Sequence, residues 1–308
     1  MAELSVVIPA INEYPQLVFT IQSIAQELRD RVDFEIIVVD NTCLESEKQP
    51  YEKDKGGDVI RGSLRVNSWL KTFNYTHKLS HWQSKNLGAQ QATGDFLWFS
   101  DAHCIIARDA LYKMFCYYKE HHEELNGSIH LPLTYKILES HKTIYKLVVN
   151  HDTAEYHYSL TGYRHAEEPY EVPAVSTCGM MLTKKLYNEL GGWPVELGIY
   201  GGGENFTNFT KAVMGKKKWM MPGEPLFHHG EKRGYHYVGD DYKRNRCIAT
   251  YIFGGKALAA KMMEHSKGNQ GVLQAILQDV LTKCAPHREH IKKQQVTTIQ
   301  EWCKKWGC

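Results

Sequence analysis

The sequence lacks any apolar run long enough to cross a bilayer. Met1 to Glu3 also lack the basic start and long apolar stretch of a signal peptide. Both absences predict a cytoplasmic protein with no membrane partner. The eight cysteines include no C-x-x-C pair and no regular framework, which predicts reduced, mostly buried thiols, with Cys303 and Cys308 exposed at the tail. The first apolar segment, SVVIPAINE, is not followed by a Gly-rich turn, which argues against a dinucleotide site of the G-x-G-x-x-G kind. A net charge of +2 does not by itself argue for a nucleic-acid partner. No internal repeat and no low-complexity tract is present.

What is present suits a globular α/β chain: 308 residues, 43% of them hydrophobic, fill one large domain or two small ones. Buried strands are predicted over Ser5 to Ile8, stopped by Pro9, and over Phe34 to Val39, with an amphipathic helix through Leu17, Ile21, Ile24 and Leu28 between them. Such a unit is a right-handed parallel crossover, and it brings Asn12, Glu13 and Asp40 out on one edge. Asp40, at a strand's carboxyl end, is a natural acceptor for a base or ribose, or a solvated turn residue.

The stretch SKNLGAQQATGDFLWFSDAHC, residues 84–104, organises the rest. It reads as a small-residue helix, a Gly94-Asp95 break, a buried strand Phe96 to Phe99, and then Asp101 and His103. Alternate residues of an extended chain point the same way, so these two can grip one cation. Carboxylate plus imidazole suits Mn²⁺ or Zn²⁺ and leaves coordination positions for phosphate oxygens. The same residues also suit an Asp-capped start to the amphipathic helix through Leu111, Phe115 and Tyr118.

Beyond it, residues 45–82 form a polar excursion with a possible strand near Val59-Ile60, and Ile129 to Leu138 alternates as strands do. Leu147 to Tyr170 offers His and Tyr faces for a sugar or base. A buried strand is predicted over Pro173 to Thr183 and a short helix over Lys184 to Leu190. In GGWPVELGIYGGGENF the glycines permit tight turns and set Glu204 and Asn205 at the start of a helix over Phe206 to Val213. The run from His228 to Tyr237, with Lys232 and Arg233 between glycines, fits a mobile anion-binding lid. Lys216 to Lys218, Lys243 to Arg246 and the tail from Lys261 can form a basic face or ordinary solvated surface. Helical spacing of Leu258, Met262, Val272, Ile276 and Val280 predicts a helical C-terminal appendage.

Taken together, SVVIPAINE, EIIVVDN, GAQQATGDFLWFSDAHC and GGGEN resemble the family 2 glycosyltransferases of GT-A fold, and more closely their polypeptide N-acetylgalactosaminyltransferase branch, with an Asp-x-His metal motif. The resemblance covers the chain to about Tyr251. It implies a mixed sheet flanked by helices. Residues 1–252 form the transferase domain, with a nucleotide-sugar half over 1–125, an acceptor half over 126–230 and a lid over 231–252; residues 253–308 form the tail.

It implies further that Asp101, His103 and His229, the last 25 positions after Glu204, hold Mn²⁺ or another divalent cation against the diphosphate of a UDP-sugar. Pro9, Asn12, Glu13, Asp40, Lys85 and Tyr237 then lie around the donor. Glu204 and Asn205 lie against the sugar or acceptor hydroxyl, and Lys232 neutralises the leaving diphosphate. Asn205 stands where inverting relatives carry an Asp base, which favours retention of configuration. Read from the residues rather than from the resemblance, the absent anchor, the basic tail and the His/Tyr-rich stretch point to the hydroxymethyl group of a modified pyrimidine in DNA as acceptor, as in a phage-type modification, with the base lifted from the duplex. The alternatives are a protein or glycan acceptor, an inactive nucleotide-sugar-binding protein, and a metal-dependent phospho- or nucleotidyltransferase. Oligomeric state is not legible.

Overall fold

The structure is a computed structural model and describes residues 2–11, 13–41, 62–63, 65–135, 142–229 and 236–308. In chain order its elements are β1 (Leu4–Ala10), α1 (Tyr14–Leu28), β2 (Phe34–Asp40), β3 (Leu70–Asn74), α2 (His81–Gln91), β4 (Phe96–Phe99), β5 (Cys104–Ile106) and α3 (Ala110–Leu125). Then follow β6 (Gly127–His130), β7 (Leu133–Thr134), β8 (Thr143–Asn150), β9 (Glu155–Gly162), β10 (Tyr170–Glu171), β11 (Met180–Thr183), α4 (Lys184–Glu189) and α5 (Gly203–Val213). The last are β12 (Lys217–Met220), β13 (Leu226–His228), α6 (Gly239–Gly254), α7 (Lys256–Glu264), α8 (Gln270–Lys283), α9 (Ala285–Lys292) and α10 (Ile299–Lys305).

An eight-stranded mixed sheet runs β10-β12-β6-β11-β4-β1-β2-β3. Its β3, β2, β1 and β4 are parallel, and β11 enters antiparallel to both β4 and β6. Every residue of β1 is buried because the sheet is covered on both faces, as parallel sheets require. The period of two sorts those residues. Val7, Ile37, Val39, Leu97 and Phe99 enter one core, whereas Val6, Ile8, Ile36, Val38, Phe96 and Trp98 enter the other. The second core is closed by the apolar stripes of α1 (Leu17, Ile21, Ile24) and α3 (Leu111, Met114, Phe115). Pro9 does not end β1. The last β1–β4 pair is Val7 with Phe99, so the missing N–H of Pro9 falls beyond that ladder, while pairing with β2 runs on to Ala10.

A five-stranded sheet, β5-β13-β7-β8-β9, stands beside the first. Its hairpin β8–β9 pairs Thr143 with Gly162 through to Asn150 with Glu155. The buried strand expected over Pro173 to Thr183 is confined to Met180–Thr183, and residues 173–179 lead into it as loop. The tail is helical, and it shares a core with the central sheet. Leu273, Val280, Ile291, Ile299 and Cys303 belong to the same cluster as Val7, Leu97 and Phe206. Cys303 is therefore buried, contrary to the expectation of an exposed tail thiol, whereas Cys308 is exposed, as is Cys116. No helix among the described residues is long and apolar enough to cross a membrane. The segment around Val59-Ile60 lies outside the described residues.

Candidate metal and nucleotide-sugar site

Beyond the carboxyl ends of β1 and β4 lies a cavity of about 780 Å³. Pro9, Glu13, Asp101, His103 and His228 line one part, and Tyr135, Tyr145, Tyr158, Tyr200, Glu204 and Tyr237 line another. The metal stretch gets its shape from register. Leaving β4 at Phe99, the chain turns through Asp101 and His103 into β5, which pairs antiparallel with β13 so that Cys104 lies opposite His228. The His229 N–H donates to the His103 carbonyl at 2.9 Å and closes the pair. His228 thereby faces the turn.

Asp101, His103 and His228 present ligand atoms that all lie within 4.8 Å of one another. Nε2 of His228 is 3.3 Å from Asp101 Oδ2 and 3.3 Å from His103 Nε2. One carboxylate and two imidazoles converging in this way suit a first-row divalent cation with open positions. His229, expected as the third ligand, is the next residue along the chain. Adjacent residues of an extended chain point to opposite sides, and the His229 side chain is exposed. Alternation from the buried Leu226 puts His228, rather than His229, on the face of this cluster.

The electrostatics fit a cation site. Glu13 Oε1 lies 2.8 Å from His103 Nδ1, which holds the ring and leaves Nε2 to the cluster. Burial opposes charge on His103, but the hydrogen bond to Glu13 and the fields of Asp101 and Glu13 raise its pKa to about 9. Partial burial would raise Asp101. Lys85, then His228 and His103, hold it instead well below the usual carboxylate range. His228 is raised as well: burial works against it and the Asp101 hydrogen bond outweighs burial.

Lys85 does not line the cavity. It is buried in α2, and its Nζ reaches Asp101 Oδ1 at 3.2 Å and Thr177 Oγ1 at 3.3 Å. Thr177 Oγ1 in turn donates to Glu204 Oε1 at 3.1 Å. A continuous polar chain, Asp101–Lys85–Thr177–Glu204, thus joins the two parts of the site. Desolvation raises the Glu204 carboxyl, with Lys85 opposing. Glu204 is placed by glycines. Gly202 has φ +74°, and a Cβ on Gly203 would meet the buried Trp82 ring at 2.2 Å, so α5 begins hard against α2. Asn205 turns away, its Nδ2 donating to the Tyr156 carbonyl at 2.6 Å.

Asp40 lies at the end of β2, with its carbonyl accepting from the Tyr75 N–H. It does not line the cavity; its neighbour Asn41 does. Asn12 and Lys232 lie outside the described residues, as does the lid from 231 to 235. From Gly239 the segment expected as lid is α6. Sequence reasoning missed Thr177 and Tyr135, and it did not place Tyr145. In the His/Tyr-rich stretch, Tyr156 and Tyr158 stand two apart in β9 and share a face: Tyr156 packs against Phe209 and Phe253 in the core, and Tyr158 reaches the cavity, where its ring lies 4.8 Å from that of Tyr145.

The mixed sheet flanked by helices has the architecture of a GT-A glycosyltransferase domain. Within that class the chain belongs to the glycosyltransferase-like family 2, whose profile matches residues 5–239. The fold is similar to that of GalNAc-T7 with UDP, GalNAc and Mn²⁺ (TM-score 0.74, 16% identity over all of this chain and 57% of that one). It is also similar to S. aureus TarS 1–349 with UDP-GlcNAc (TM-score 0.56, 15% identity, 91% of this chain and 72% of that one). A third is the mannosyltransferase PcManGT of Pyrobaculum calidifontis with GDP-Man and Mn²⁺ (TM-score 0.54, 17% identity, 95% and 74%). The chain thus spans little more than half the length of GalNAc-T7. No curated protein sequence matches it.

Proposed function

We propose that the protein transfers a sugar from a UDP-sugar to a hydroxyl acceptor with the help of a divalent cation, Mn²⁺ being the first candidate. The convergence of Asp101, His103 and His228 on the wall of the cavity carries this reading. These three residues would hold the cation, with Glu13 orienting His103. When bound, the cation neutralises charge on the departing diphosphate. Three relatives by fold, in structures with UDP and Mn²⁺, with UDP-GlcNAc or with GDP-Man and Mn²⁺, support the donor class. Lys85 fixes the Asp101 carboxylate and adds positive charge behind it. Pro9 and Glu13 line the donor side, and Tyr237 lies tilted against Tyr200 at 4.4 Å between ring centres, where it can cover the donor. Lys232 would neutralise charge on the leaving diphosphate.

Glu204 faces the sugar and acceptor. Asn205 is committed to a backbone carbonyl and supplies no base, so the transfer runs with retention, the departing phosphate oxygen taking the acceptor's proton. The acceptor side is walled by Tyr135, Tyr145 and Tyr158, which offer ring faces and hydroxyls to a planar or hydroxyl-rich acceptor. A hydroxymethylated pyrimidine in DNA is the acceptor to try first, for those faces. The basic cluster adds nothing to it, because Lys243 pairs with Asp240 and Arg244 with Asp279.

The deciding experiment measures Mn²⁺-dependent UDP release from a panel of UDP-sugars, with hydroxymethylcytosine DNA, protein or glycan acceptors, and with Asp101→Ala as control. Mn²⁺-dependent UDP release lost in the variant is the expected result. Pyrophosphate in place of UDP, or release indifferent to Asp101→Ala, overturns the reading.

A further inference from the structure

Directly behind the His228 ring lie two thiols that the proposed sugar transfer does not use. Cys104 Sγ and Cys178 Sγ are 3.3 Å apart, both cysteines are buried, and each sulfur lies within 4.8 Å of a His228 ring nitrogen. Register brings them together: Cys104 is the cross-strand partner of His228, so the two side chains share a face. Cys178 arrives on the loop that leads into β11.

Both cysteines are held from behind. The Cys104 N–H donates to Thr20 Oγ1 at 2.9 Å, and that hydroxyl donates to the Ala102 carbonyl at 2.9 Å. The Cys178 N–H donates to Ser176 Oγ at 3.0 Å, and its carbonyl lies 2.6 Å from His130 Nε2. Thr20, Ser176 and His130 are themselves buried. The positions of the thiols are therefore set before any ion arrives. His228 supplies the further sign: its Nδ1 is buried with no hydrogen-bond partner among the described residues, although Nε2 faces Asp101 and His103. An imidazole nitrogen left without a partner inside a protein costs free energy unless something binds it.

We propose that Cys104, Cys178 and His228 form a second metal site, selective for thiophilic divalent ions such as Zn²⁺ and Cd²⁺, which shares His228 with the Asp101–His103–His228 site. Two sulfurs and one imidazole are the donor set that soft and borderline ions prefer, and Mn²⁺ prefers the carboxylate side. Binding releases the two thiol protons to solvent, and the two thiolates balance the ion's charge. The site deepens the proposed function and rests on it in one respect only: an ion held by the thiols through Nδ1 leaves the ring proton on Nε2, which takes His228 from the Mn²⁺ site and inhibits the transfer.

The test uses Cd²⁺ alone as probe on the full chain, in a Cys43→Ser, Cys116→Ser, Cys308→Ser background that leaves only buried thiols among the described residues. Sulfur-to-cadmium charge-transfer absorption in the ultraviolet reports thiolate ligation. One Cd²⁺ per chain with that absorption, lost in both Cys178→Ser and Cys104→Ser, is the expected result. Circular dichroism identifies a variant that does not fold, and the other variant then decides. No absorption in the background protein, or absorption that survives in a folded variant, overturns the site. Mn²⁺ binding by electron paramagnetic resonance is followed in parallel. One equivalent of Cd²⁺ should weaken Mn²⁺ binding by about tenfold, and not in Cys178→Ser; unchanged Mn²⁺ affinity overturns the sharing of His228. If Mn²⁺ fails to bind even without Cd²⁺ while the absorption is present, the proposed function loses its metal and the thiol site stands.

Discussion

The central sheet carries a carboxylate–lysine pair at each end, and the two differ in how fully they are satisfied. At the amino ends of the strands, Glu35 accepts from Ser5 Oγ at 2.6 Å, from the Thr93 N–H at 2.6 Å and from Thr93 Oγ1 at 2.9 Å, and it pairs with Lys71. At the carboxyl ends, Asp101 has Lys85 at 3.2 Å and His228 at 3.3 Å, longer contacts than charged groups usually make. Glu35 is saturated and buried, and it ties β1, β2, β3 and the turn before β4 into one unit. Asp101 is 28% exposed on its side chain and is surrounded by positive groups and imidazoles, with room for a ligand in front. Saturation marks a group that holds the fold, and convergence without saturation marks one that waits for a ligand.

The largest expected contrast is between Asp101→Ala and Glu35→Ala. Asp101→Ala should lower kcat/KM for sugar transfer by about a thousandfold with little change in denaturant midpoint. Glu35→Ala leaves Ser5 and Thr93 donors without their acceptor and should cost about 2–3 kcal/mol of stability at unchanged turnover per folded molecule. Chemical denaturation and initial rates measured on the same preparations check both. If Glu35→Ala abolishes turnover while the protein remains folded, the division of labour between the two ends fails.

Next in size is the pair His228 and His229. His228→Ala removes one of the three proposed ligands and should weaken Mn²⁺ binding by about a hundredfold. His229→Ala should change it by less than about threefold, since that side chain faces outward and its backbone N–H, which bonds His103, is retained. Calorimetric titration with Mn²⁺ separates them. Equal losses would return the ligand role to both.

The choice between His228 and His229 shows where the sequence stops being legible. Buried strands such as β1, β2 and β4 announce themselves by continuous apolar runs, and α1 and α3 by their stripes, because both faces of the sheet must be covered. The hairpin β8–β9 is invisible to the same reading. Only Tyr156 among its residues is buried, so no apolar period marks it. β5 is three residues long, yet it sets the register that brings His228 to Asp101. Asp101 and His103 lie two apart on one chain and could be paired from the sequence. Thr177 and Tyr135 belong to the site only through contacts across the sheets. The helical tail was legible by its spacing, and its place in the core beside Val7 was not.

The pH dependence of the two ends should run in opposite directions. Glu35 is held below its ordinary value of 4.5: desolvation opposes this, and Lys71, Ser5 and Thr93 outweigh it. Its contribution is therefore present above that value and lost as pH falls through the folded-state pKa. His103 is raised from 6.5 to about 9, so its pairing with Glu13 and Asp101 stabilises the metal-free protein fully below about 6.5 and fades as pH rises through about 9. A cation needs the neutral ring. Mn²⁺ affinity should thus climb by about tenfold per pH unit toward pH 9, and the thermal stabilisation given by Mn²⁺ should grow as metal-free stability declines. Thermal melts with and without Mn²⁺ from pH 6.5 to 8.5 measure this; an Mn²⁺ affinity independent of pH would show that His103 is not a ligand.

The smallest effects should come from two threonines that serve the two carboxylates. Thr177 is buried and passes a hydrogen bond between Lys85 and Glu204, and Thr93 gives a hydroxyl to Glu35 while keeping its N–H bond to the same oxygen. Thr177→Val keeps the shape and cuts the chain between the metal side and the acceptor side. It should lower kcat by about fivefold to tenfold with KM for the donor little changed, because the bond orients Glu204 rather than binding the nucleotide. Thr93→Val, at an exposed position, should cost about 0.5–1 kcal/mol and leave kcat alone. Steady-state kinetics at saturating Mn²⁺ decide between the roles. A Thr177→Val protein with normal kcat would make that threonine a packing residue, and Glu204 would then owe its position to the glycines and Trp82 alone.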